Sequence, residues 1–483
     1  MTLRDLIAIL RRHDLLVAFP PEDLPITALA VDSRDVTPGG CFIAHQGSVA
    51  DGHAHVGAAI AAGAVAIIAE RELPGVGVPV IVVHDGRRAA ERLAAAWYNE
   101  PAHALALVAV TGTNGKTTTT ALVRHLLGLR GPAGSIGTLG AFDGAGRAIQ
   151  STAGSLTTPG PLDLQRTLRG LVDAGVTQVA MEASSHALDQ QRLDALTFAG
   201  AVFTNLTRDH LDYHGTMEAY RDAKLRLAQL VAADGVLAVN ADDPAWAALH
   251  RDRRTVRWGR AADADLRIAE MTCLTAGSRV TFDGRFGRAE LTLPLPGDFN
   301  VANATGAAAV VLGMGMPFDA VVARLADAPQ VPGRMERIVD APFHVLRDYA
   351  HTPDALERAL ATLRPITPGR IIVVFGCGGD RDRGKRPMMG RIAVAGADVV
   401  MVTSDNPRTE DPERIIDDIV AELPAGSYQR ESDRWVAIAT AVGQAQPGDA
   451  VLLAGKGHET YQVIGTEKQP FDERTIVLGL LGR

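Results

Sequence analysis

The sequence of 483 residues has few cysteines and no long apolar segment. Cys41, Cys273 and Cys377 are far apart and form no Cys-x-x-Cys pair, which excludes a disulfide framework and a cysteine zinc site. No apolar run reaches the roughly 18 residues that a membrane-spanning helix needs. Residues 1–20 mix apolar and charged positions, which is typical of an amphipathic helix and not of a signal peptide. We therefore expect a cytoplasmic protein without membrane insertion.

The sequence also has no excess of basic over acidic residues. Lysine and arginine together number 48 against 56 aspartates and glutamates, which gives a formal net charge of -8. With no basic stripe in the sequence, a nucleic-acid partner is not expected, and small acidic ligands would need local basic pockets. The chain is long enough for about three domains, each with its own core.

Residues 105–129 have the strand, loop and helix order of a phosphate-binding loop. Glycines let the backbone N–H groups turn inward, Lys116 can reach the outer phosphates, and Thr117 can bind Mg²⁺. The strict Walker pattern requires glycine where this chain has Val110, so the assignment depends on the context of the loop. The alternative is a glycine-rich turn that binds nothing. The loop residues are Gly112, Thr113, Asn114, Gly115, Lys116, Thr117 and Thr118.

Two later predicted strands, residues 176–181 and 199–204, are followed by polar side chains that include Glu182 and His210. The carboxyl ends of parallel strands open onto one crevice, so these side chains are expected beside the phosphate loop. With Thr117 they offer ligands suited to Mg²⁺. The alternative for Glu182 is a helix cap.

Three predicted strands near the C-terminus, at 371–375, 398–403 and 450–453, each end in a loop rich in charge and glycine. The loops cover residues 376–383, 404–408 and 455–459. Gly-x-Gly-Gly in the first is a poor dinucleotide fingerprint, so hydride chemistry is not expected. Arginines beside a glutamate suit a zwitterionic ligand that carries a carboxylate. A solvated charged rim is the alternative.

The predicted fold class is therefore α/β with three domains. A small αβ N-terminal domain covers residues 1–100, where polar Ser33 and His45 either hold a small ligand or are structural. A central P-loop ATPase-like domain with a parallel sheet covers residues 101–335. A C-terminal Rossmann-like domain covers residues 336–483.

Several motifs, taken together and in this order, resemble the Mur ligase family of ATP-dependent peptidoglycan precursor ligases. The resemblance extends from about residue 30 to about residue 475. The motifs are Thr-Gly112-Thr-Asn-Gly115-Lys116-Thr117, Met181-Glu182-Ala-Ser-Ser-His186, Asn205-Leu-Thr-Arg-Asp209-His210, Tyr220-x-x-Ala-Lys224, Asn300-x-x-Asn303, Gly333-Arg334-x-Glu336 and Asp348-Tyr-Ala-His351.

The resemblance implies a monomer with small-molecule substrates, with ATP as co-substrate and Mg²⁺ as cofactor. It implies catalytic roles for Lys116, Lys224 and His210, with Lys224 carried as a carbamate that completes a metal site of Thr117, Glu182 and His210. ATP would contact the phosphate loop and Asn303, Arg334 and His351. The UDP-muramoyl-dipeptide would contact Ser33, His45, Thr157, Thr158, Ser184, Gln190 and Arg192.

The resemblance also implies meso-diaminopimelate as the amino acid. Arg408 would pair with the carboxylate that lysine lacks, while Arg381 and Glu459 would hold the same distal head. The implied amino-acid site is Arg381, Asp405, Asn406, Pro407, Arg408, Gly455 and Glu459.

The implied reaction proceeds through an acyl phosphate. A folylpolyglutamate synthetase is the alternative within the same chemistry, but residues 405–408 and the region from residue 30 argue against it. A regulator that hydrolyses ATP without ligation is the alternative from another class.

Overall fold

The computed structural model describes residues 1–47, 50–149, 156–249, 254–274 and 276–483. The chain divides into two compact units. The first unit comprises residues 1–267, 284–286 and 303–321, and the second comprises residues 268–283, 287–302 and 322–483. This division does not test the predicted domain boundaries near residues 100 and 335, which stay a prediction.

Strands and helices alternate along most of the chain. The strands are β1 Leu16–Ala18, β2 Ala28–Ala30, β3 Gly40–Ile43, β4 Ala66–Ala69, β5 Val80–Val83, β6 Ala106–Thr111, β7 Ala133–Gly137, β8 Gly140–Phe142, β9 Ala148–Ile149, β10 Gln178–Glu182, β11 Phe198–Phe203, β12 Val231–Asn240, β13 Arg254–Gly259, β14 Leu266–Leu274, β15 Gly277–Gly284, β16 Ala289–Leu293, β17 Glu336–Val339, β18 His344–Asp348, β19 Ile371–Phe375, β20 Val399–Val402, β21 Gln429–Arg430, β22 Ala450–Ala454, β23 Tyr461–Ile464 and β24 Glu467–Pro470.

The α-helices are α1 Leu3–Arg12, α2 Val56–Ala61, α3 Gly86–Trp97, α4 Lys116–Leu127, α5 Pro161–Asp173, α6 Ser185–Asp189, α7 Leu211–His214, α8 Met217–Gln229, α9 Asp298–Gly313, α10 Phe318–Ala326, α11 Pro353–Leu363, α12 Lys385–Gly396, α13 Pro412–Val420, α14 Arg434–Gln444 and α15 Glu473–Leu480. No helix in the described ranges is both long enough and apolar enough to cross a bilayer.

The first unit begins with a five-stranded sheet in the order β1-β5-β4-β3-β2, in which β1 is antiparallel and the other strands are parallel. The amphipathic N-terminal helix predicted from the sequence is confirmed as α1. Thr2 and Asp5 form a capping box at its start, and Leu3, Leu6 and Leu10 are fully buried. The helix therefore contributes to the core of this sheet.

A larger sheet of the first unit contains the strand order β13-β12-β11-β6-β10-β7-β8-β9. The strands from β13 to β7 pair in parallel, and the short strands β8 and β9 add antiparallel pairs at one edge. β6 lies between β10 and β11, and its residues from Leu107 to Thr111 are buried. Burial on both faces explains why this strand is a continuous apolar run.

The second unit contains a six-stranded sheet in the order β17-β18-β22-β19-β20-β21. Only β17 is antiparallel to its neighbour. β19 and β22 are buried along their whole length, and separate apolar clusters lie on the two faces of the sheet. The predicted α/β class with parallel sheets is confirmed in both units.

A buried ion pair ties the C-terminal helices to the strand ends of this sheet. The guanidinium of Arg434 lies 2.7 Å from a carboxylate oxygen of Glu473, and both side chains are fully buried. Arg434 also donates to the carbonyls of Ser404 and Ala454, at 3.2 and 2.9 Å. One side chain therefore holds the starts of two of the three loops predicted to bind the amino acid.

Replacing Arg434 with methionine should lower the free energy of unfolding by about 3 to 5 kcal/mol, because Glu473 would remain buried without a counter-charge. Urea denaturation followed by circular dichroism measures the change. The control is R430M, since Arg430 pairs with Glu413 and Asp417 at the surface. Exposed pairs contribute about 0 to 1 kcal/mol. Equal losses in the two variants would contradict a special role for the buried pair.

Candidate functional site

The phosphate loop lies between β6 and α4, as the sequence predicts. Gly112 and Gly115 have φ of 145° and 83°, in the region that favours glycine. A Cβ on Gly115 would lie 2.2 Å from Oδ1 of Asn303, and one on Gly112 would lie 1.8 Å from Oγ1 of Thr204. Both glycines are therefore required by backbone conformation and by close packing.

The middle of this loop is held by the chain that follows β11. The backbone N–H groups of Thr113 and Asn114 donate to Asn205, at 2.7 and 3.0 Å. The Asn114 amide also donates to Thr207 Oγ1 at 3.2 Å. The loop is therefore fixed at residues 113 and 114 by a neighbouring strand end.

The ammonium of Lys116 folds back over the loop. It donates to the carbonyls of Gly112 and Thr113, at 3.0 and 2.8 Å. Thr117 and Thr118 are buried in the first turn of α4. Asn303, on α9, accepts a hydrogen bond from Thr119 at 3.3 Å, so the structure places it against this helix and Gly115.

Lys224 is a buried lysine that contacts the phosphate loop. It lies on α8 with 1% of the residue exposed, and its ammonium donates to the Gly112 carbonyl at 2.8 Å. The ammonium also lies 4.4 Å from the ring centre of Tyr220, one helical turn earlier. Burial holds the pKa of Lys224 well below its usual value, and the charge of Lys116 lowers it further. Two lysines therefore meet at one backbone carbonyl.

Glu182 ends β10 and is buried. Its carboxylate oxygens accept from the backbone N–H and the hydroxyl of Thr138, at 2.9 and 3.2 Å. Thr138 follows β7, the neighbouring strand, so the two strand ends fix the carboxylate. Sequence reasoning missed Thr138, which has no motif around it.

His210 precedes α7 with a φ of 52°. Its ring lies 4.8 Å from the ring of His186, edge to face. Partial burial lowers the pKa of His210, and Lys116 and Lys224 lower it further against the opposing effect of Asp209. Burial and the charge of His210 lower the pKa of His186 to about 4. Both imidazoles are therefore neutral near pH 7, the form that binds metals.

The predicted metal ligands are a hydroxyl, a carboxylate, an imidazole and a lysine. No group of three or more His, Cys, Asp or Glu side chains within the described ranges could hold a metal. The predicted set contains only two residues of those types, Glu182 and His210. The donor chemistry fits Mg²⁺ if Lys224 carries a carbamate, because oxygen ligands then predominate.

Five of the predicted dipeptide-binding residues join Glu182 in one hydrogen-bond network. Thr157 Oγ1 lies 3.3 Å from Thr138 Oγ1. Thr158 donates to the Glu182 carbonyl at 2.8 Å and accepts from the Ser184 N–H at 3.1 Å. Arg192 donates to the Thr158 carbonyl at 3.0 Å.

The same network continues to Gln190. Arg192 donates twice to Gln190 Oε1, and the Gln190 amide donates to Tyr213 at 3.1 Å. Ser184 also caps α6, which begins at the next residue. The structure therefore brings Thr157, Thr158, Ser184, Gln190 and Arg192 together beside Glu182.

Ser33 and His45 follow β2 and β3, which are adjacent parallel strands. Near His45, the carboxylate of Glu70 accepts from the backbone N–H groups of Gln46 and Gly86, each at 2.9 Å. Glu70 therefore joins the His45 loop to the start of α3. Sequence reasoning missed this residue, because its partners are distant in the chain.

In the second unit, Arg334 and His351 both contact Tyr349. The Arg334 guanidinium lies 4.7 Å from the centre of the Tyr349 ring, and His351 Nδ1 lies 2.8 Å from the Tyr349 carbonyl. Lys385, at the start of α12, donates to the His351 carbonyl at 2.7 Å. A Cβ on Gly333 would lie 2.2 Å from the backbone nitrogen of His458. These two predicted nucleotide contacts therefore adjoin the 455–459 loop.

The three charged loops of the second unit meet. Arg408 donates to the Gly379 carbonyl at 2.8 Å, and the Gly379 N–H donates to the Asn406 carbonyl at 2.9 Å. A Cβ on Gly455 would lie 2.5 Å from Oδ2 of Asp405. The convergence predicted from the strand ends is confirmed for these residues. Arg381 is exposed in the 376–383 loop and donates to the Asp380 carbonyl at 3.2 Å.

Asn406 and Glu459 are in direct contact, with the Asn406 amide donating to Glu459 Oε2 at 2.9 Å. The fully buried Lys456 contacts both side chains. Lys456 lies within the 455–459 loop identified from the sequence, but nothing in the sequence indicated a role for it. Pro407 and Arg408 border a cavity of about 800 Å³ that Trp435 and Gln462 also line.

Comparison with sequence families and curated proteins gives concordant results. The profile "Mur ligase family, catalytic domain" matches residues 25–98, "Mur ligase middle domain" matches 110–311, and "Mur ligase, glutamate ligase domain" matches 333–457. A protein of Gloeobacter violaceus, named UDP-N-acetylmuramoyl-L-alanyl-D-glutamate--2,6-diaminopimelate ligase, is 46% identical over 94% of this chain and 93% of its own length.

Two solved structures are also similar. One, titled as a UDP-N-acetylmuramoyl-L-alanyl-D-glutamate--2,6-diaminopimelate ligase, is 37% identical, with a TM-score of 0.67 and 95% of each chain covered. A Mycobacterium tuberculosis folylpolyglutamate synthase complexed with ADP is 19% identical, with a TM-score of 0.63 over 76% of this chain and 91% of its own. At that identity the second likeness shows the fold alone.

Replacing Gly115 with alanine should lower kcat/KM for ATP by about 100-fold, because the new Cβ would displace the loop from Asn303. The control is G175A. Gly175 has a similar φ of 78°, but a Cβ there would meet nothing within 4 Å. Steady-state ADP release measures both variants. A similar loss in the control would show that backbone strain, and not the contact with Asn303, causes the effect.

Replacing Lys224 with alanine should lower kcat by about 100- to 1000-fold, the usual result of removing a group that stabilises transition-state charge. A short carboxylic acid such as acetate should restore part of the activity if a carbamate is the working group. The half-exposed Arg221 of the same helix supplies the control variant R221A. Full activity of K224A without added acid would contradict the prediction.

Proposed function

The chain belongs to the Mur ligase family, and we propose that it is the ATP-dependent ligase that joins meso-2,6-diaminopimelate to UDP-N-acetylmuramoyl-L-alanyl-D-glutamate. The observation that carries the proposal is the meeting of the three charged loops of the second unit around Arg408, Asn406 and Glu459. The names of relatives about 46% identical over nearly the whole chain support it. The product belongs to peptidoglycan precursor biosynthesis.

The reaction needs ATP because a free carboxylate is a poor electrophile. An oxygen of the D-glutamyl γ-carboxylate attacks the γ-phosphorus of ATP, and ADP leaves. The neutral amine of diaminopimelate then attacks the acyl carbon, and phosphate departs with the former carboxylate oxygen. The amine loses a proton as the amide forms.

Lys116 is proposed to stabilise the charge that spreads over the transferring phosphoryl group. In the structure its ammonium is held by two carbonyls of the phosphate loop, Gly112 and Thr113, at 3.0 and 2.8 Å. Bound phosphate oxygens would compete for the same ammonium. The inward loop and the start of α4 supply further positive partial charge.

Thr117, Glu182, His210 and carbamylated Lys224 are proposed to hold Mg²⁺. When bound, the ion would draw electrons from the phosphoryl oxygens and neutralise part of their charge. The carbamate proposal is supported by the lowered pKa of Lys224, because only a neutral amine can attack carbon dioxide. Its formation would also place an anion beside the ammonium of Lys116.

The UDP-muramoyl-dipeptide is proposed to bind the network of Thr157, Thr158, Ser184, Gln190 and Arg192. Glu182 shares this network through the Thr158 hydroxyl, which donates to its carbonyl at 2.8 Å. Substrate binding and metal binding would therefore depend on the same strand end. Ser33 and His45 are proposed contacts for the uridine diphosphate, and Arg334 and His351 for the nucleotide.

Arg408 is proposed to select the amino acid. Its Nη1 is held by the Gly379 carbonyl, while Nε and Nη2 have no hydrogen-bond partner among the described residues. A guanidinium fixed on one side can pair with a carboxylate on the other. The distal carboxylate of diaminopimelate supplies that group, and L-lysine has none. Arg381 is proposed as a second counter-charge.

The proposal is tested by ADP release with ATP, Mg²⁺ and UDP-N-acetylmuramoyl-L-alanyl-D-glutamate, comparing meso-diaminopimelate with L-lysine. Release should depend on diaminopimelate. R408A should lower kcat/KM for diaminopimelate by about 100- to 1000-fold, since the proposed pair with the substrate carboxylate loses its protein partner. R414A, which alters an exposed arginine of α13, is the control.

Equal use of L-lysine by the wild-type enzyme would be consistent with ligase activity but would refute the proposed role of Arg408 in selecting the amino acid. Amino-acid-independent ATP hydrolysis would favour a regulator. Stimulation by a folate substrate in place of the muramoyl-dipeptide would favour the folylpolyglutamate synthetase alternative.

A further inference from the structure

Lys456, Asn406 and Glu459 form a closed triangle of contacts at the amino-acid site. The Lys456 ammonium donates to Asn406 Oδ1 at 3.0 Å and to Glu459 Oε2 at 3.2 Å. The Asn406 amide closes the triangle by donating to the same Oε2 at 2.9 Å. Lys456 is fully buried, while 17% of the Glu459 side chain is exposed. The lysine therefore lies beneath a carboxylate that solutes can reach.

The orientation of the Asn406 amide is fixed by two donors. Oδ1 accepts from Lys456 Nζ and also from the backbone N–H of Val463 at 2.9 Å. The NH₂ group must therefore face Glu459. Asn406 uses its oxygen and one N–H within the protein, which makes it a positioning residue for Glu459.

The backbone around Lys456 is equally constrained. Gly455 and Gly457 on either side have φ of 114° and 55°. A Cβ on Gly457 would lie 2.7 Å from Cβ of Tyr349, and one on Gly455 would lie 2.5 Å from Asp405 Oδ2. The lysine therefore has little freedom to turn away from Glu459.

The triangle leaves one carboxylate oxygen for a ligand. Both contacts to Glu459 end on Oε2, and Oε1 has no hydrogen-bond partner among the described residues. The ammonium of Lys456 already neutralises the charge of Glu459.

We propose that Lys456 is a specificity-determining residue that prevents the site from accepting amino acids whose distal end is only an ammonium. This inference rests on the proposed function. A lone ammonium, as in L-lysine, would meet a carboxylate whose charge is already cancelled by the neighbouring ammonium of Lys456. The distal group of diaminopimelate carries a carboxylate beside its ammonium. Arg408 binds this carboxylate, and Glu459 Oε1 accepts a hydrogen bond from the ammonium. Arg408 thus attracts the correct substrate, and Lys456 repels the incorrect one.

The test compares K456Q with K456R in the full chain. Glutamine keeps an N–H donor on a slightly shorter side chain but removes the charge, whereas arginine keeps the charge. The measured quantity is kcat/KM for meso-diaminopimelate divided by kcat/KM for L-lysine, with KM for ATP as a control. K456Q should lower this ratio by about tenfold or more, which is about 1.4 kcal/mol of discrimination. The ratio for K456R should stay within about threefold of the wild-type ratio, which is a smaller change in discrimination than about 1.4 kcal/mol.

A merely structural role would lower kcat/KM for both amino acids equally and leave the ratio unchanged, which would overturn the inference. K456M replaces K456Q if thermal unfolding shows that the glutamine variant does not fold, and the same outcomes apply. Absence of diaminopimelate-dependent turnover in the wild-type enzyme would overturn the proposed function as well. A ratio lowered in K456Q, together with normal wild-type turnover, supports both, whereas a raised ratio would overturn the inference.

Discussion

The parallel pairing of β6 with β10 and β11 is the constraint on which the site of the first unit depends. Val110 pairs with Glu182 on one side and with Val202 on the other, so the three strands end at the same level. The phosphate loop, a buried carboxylate and the chain that fixes the loop therefore lie at one edge. A shift of this register by one residue would turn Glu182 to the opposite face of the sheet.

Charge is arranged differently in the two units. In the first, Lys116 and Lys224 share the carbonyl of Gly112, and Lys116 is the cation proposed to meet the phosphate oxygens. Burial keeps the pKa of Lys224 low, so this lysine need not add a second full charge. In the second unit, Lys456 offsets the charge of Glu459. Lys116 is thus the cation proposed to meet phosphate in one site, and Lys456 is the cation proposed to set the selectivity of the other.

Much of the fold and of the site could be predicted because buried parallel strands are continuous apolar runs and their polar ends meet. This reasoning located β6, Glu182 and the loops that contain Arg408 and Glu459. It could not find Thr138, Glu70 or Lys456, because their roles depend on contacts between segments distant in the chain and on burial. The buried Arg434–Glu473 pair is invisible in the sequence for the same reason.

The most direct test of the proposed chemistry follows oxygen atoms. UDP-N-acetylmuramoyl-L-alanyl-D-glutamate labelled with ¹⁸O in the γ-carboxylate is incubated with the protein, ATP, Mg²⁺ and meso-diaminopimelate. Mass spectrometry then examines phosphate and product. An acyl phosphate predicts one ¹⁸O in the released phosphate and one in the new amide of the tripeptide product. Unlabelled phosphate with an unchanged dipeptide would show ATP hydrolysis without ligation and would contradict the account.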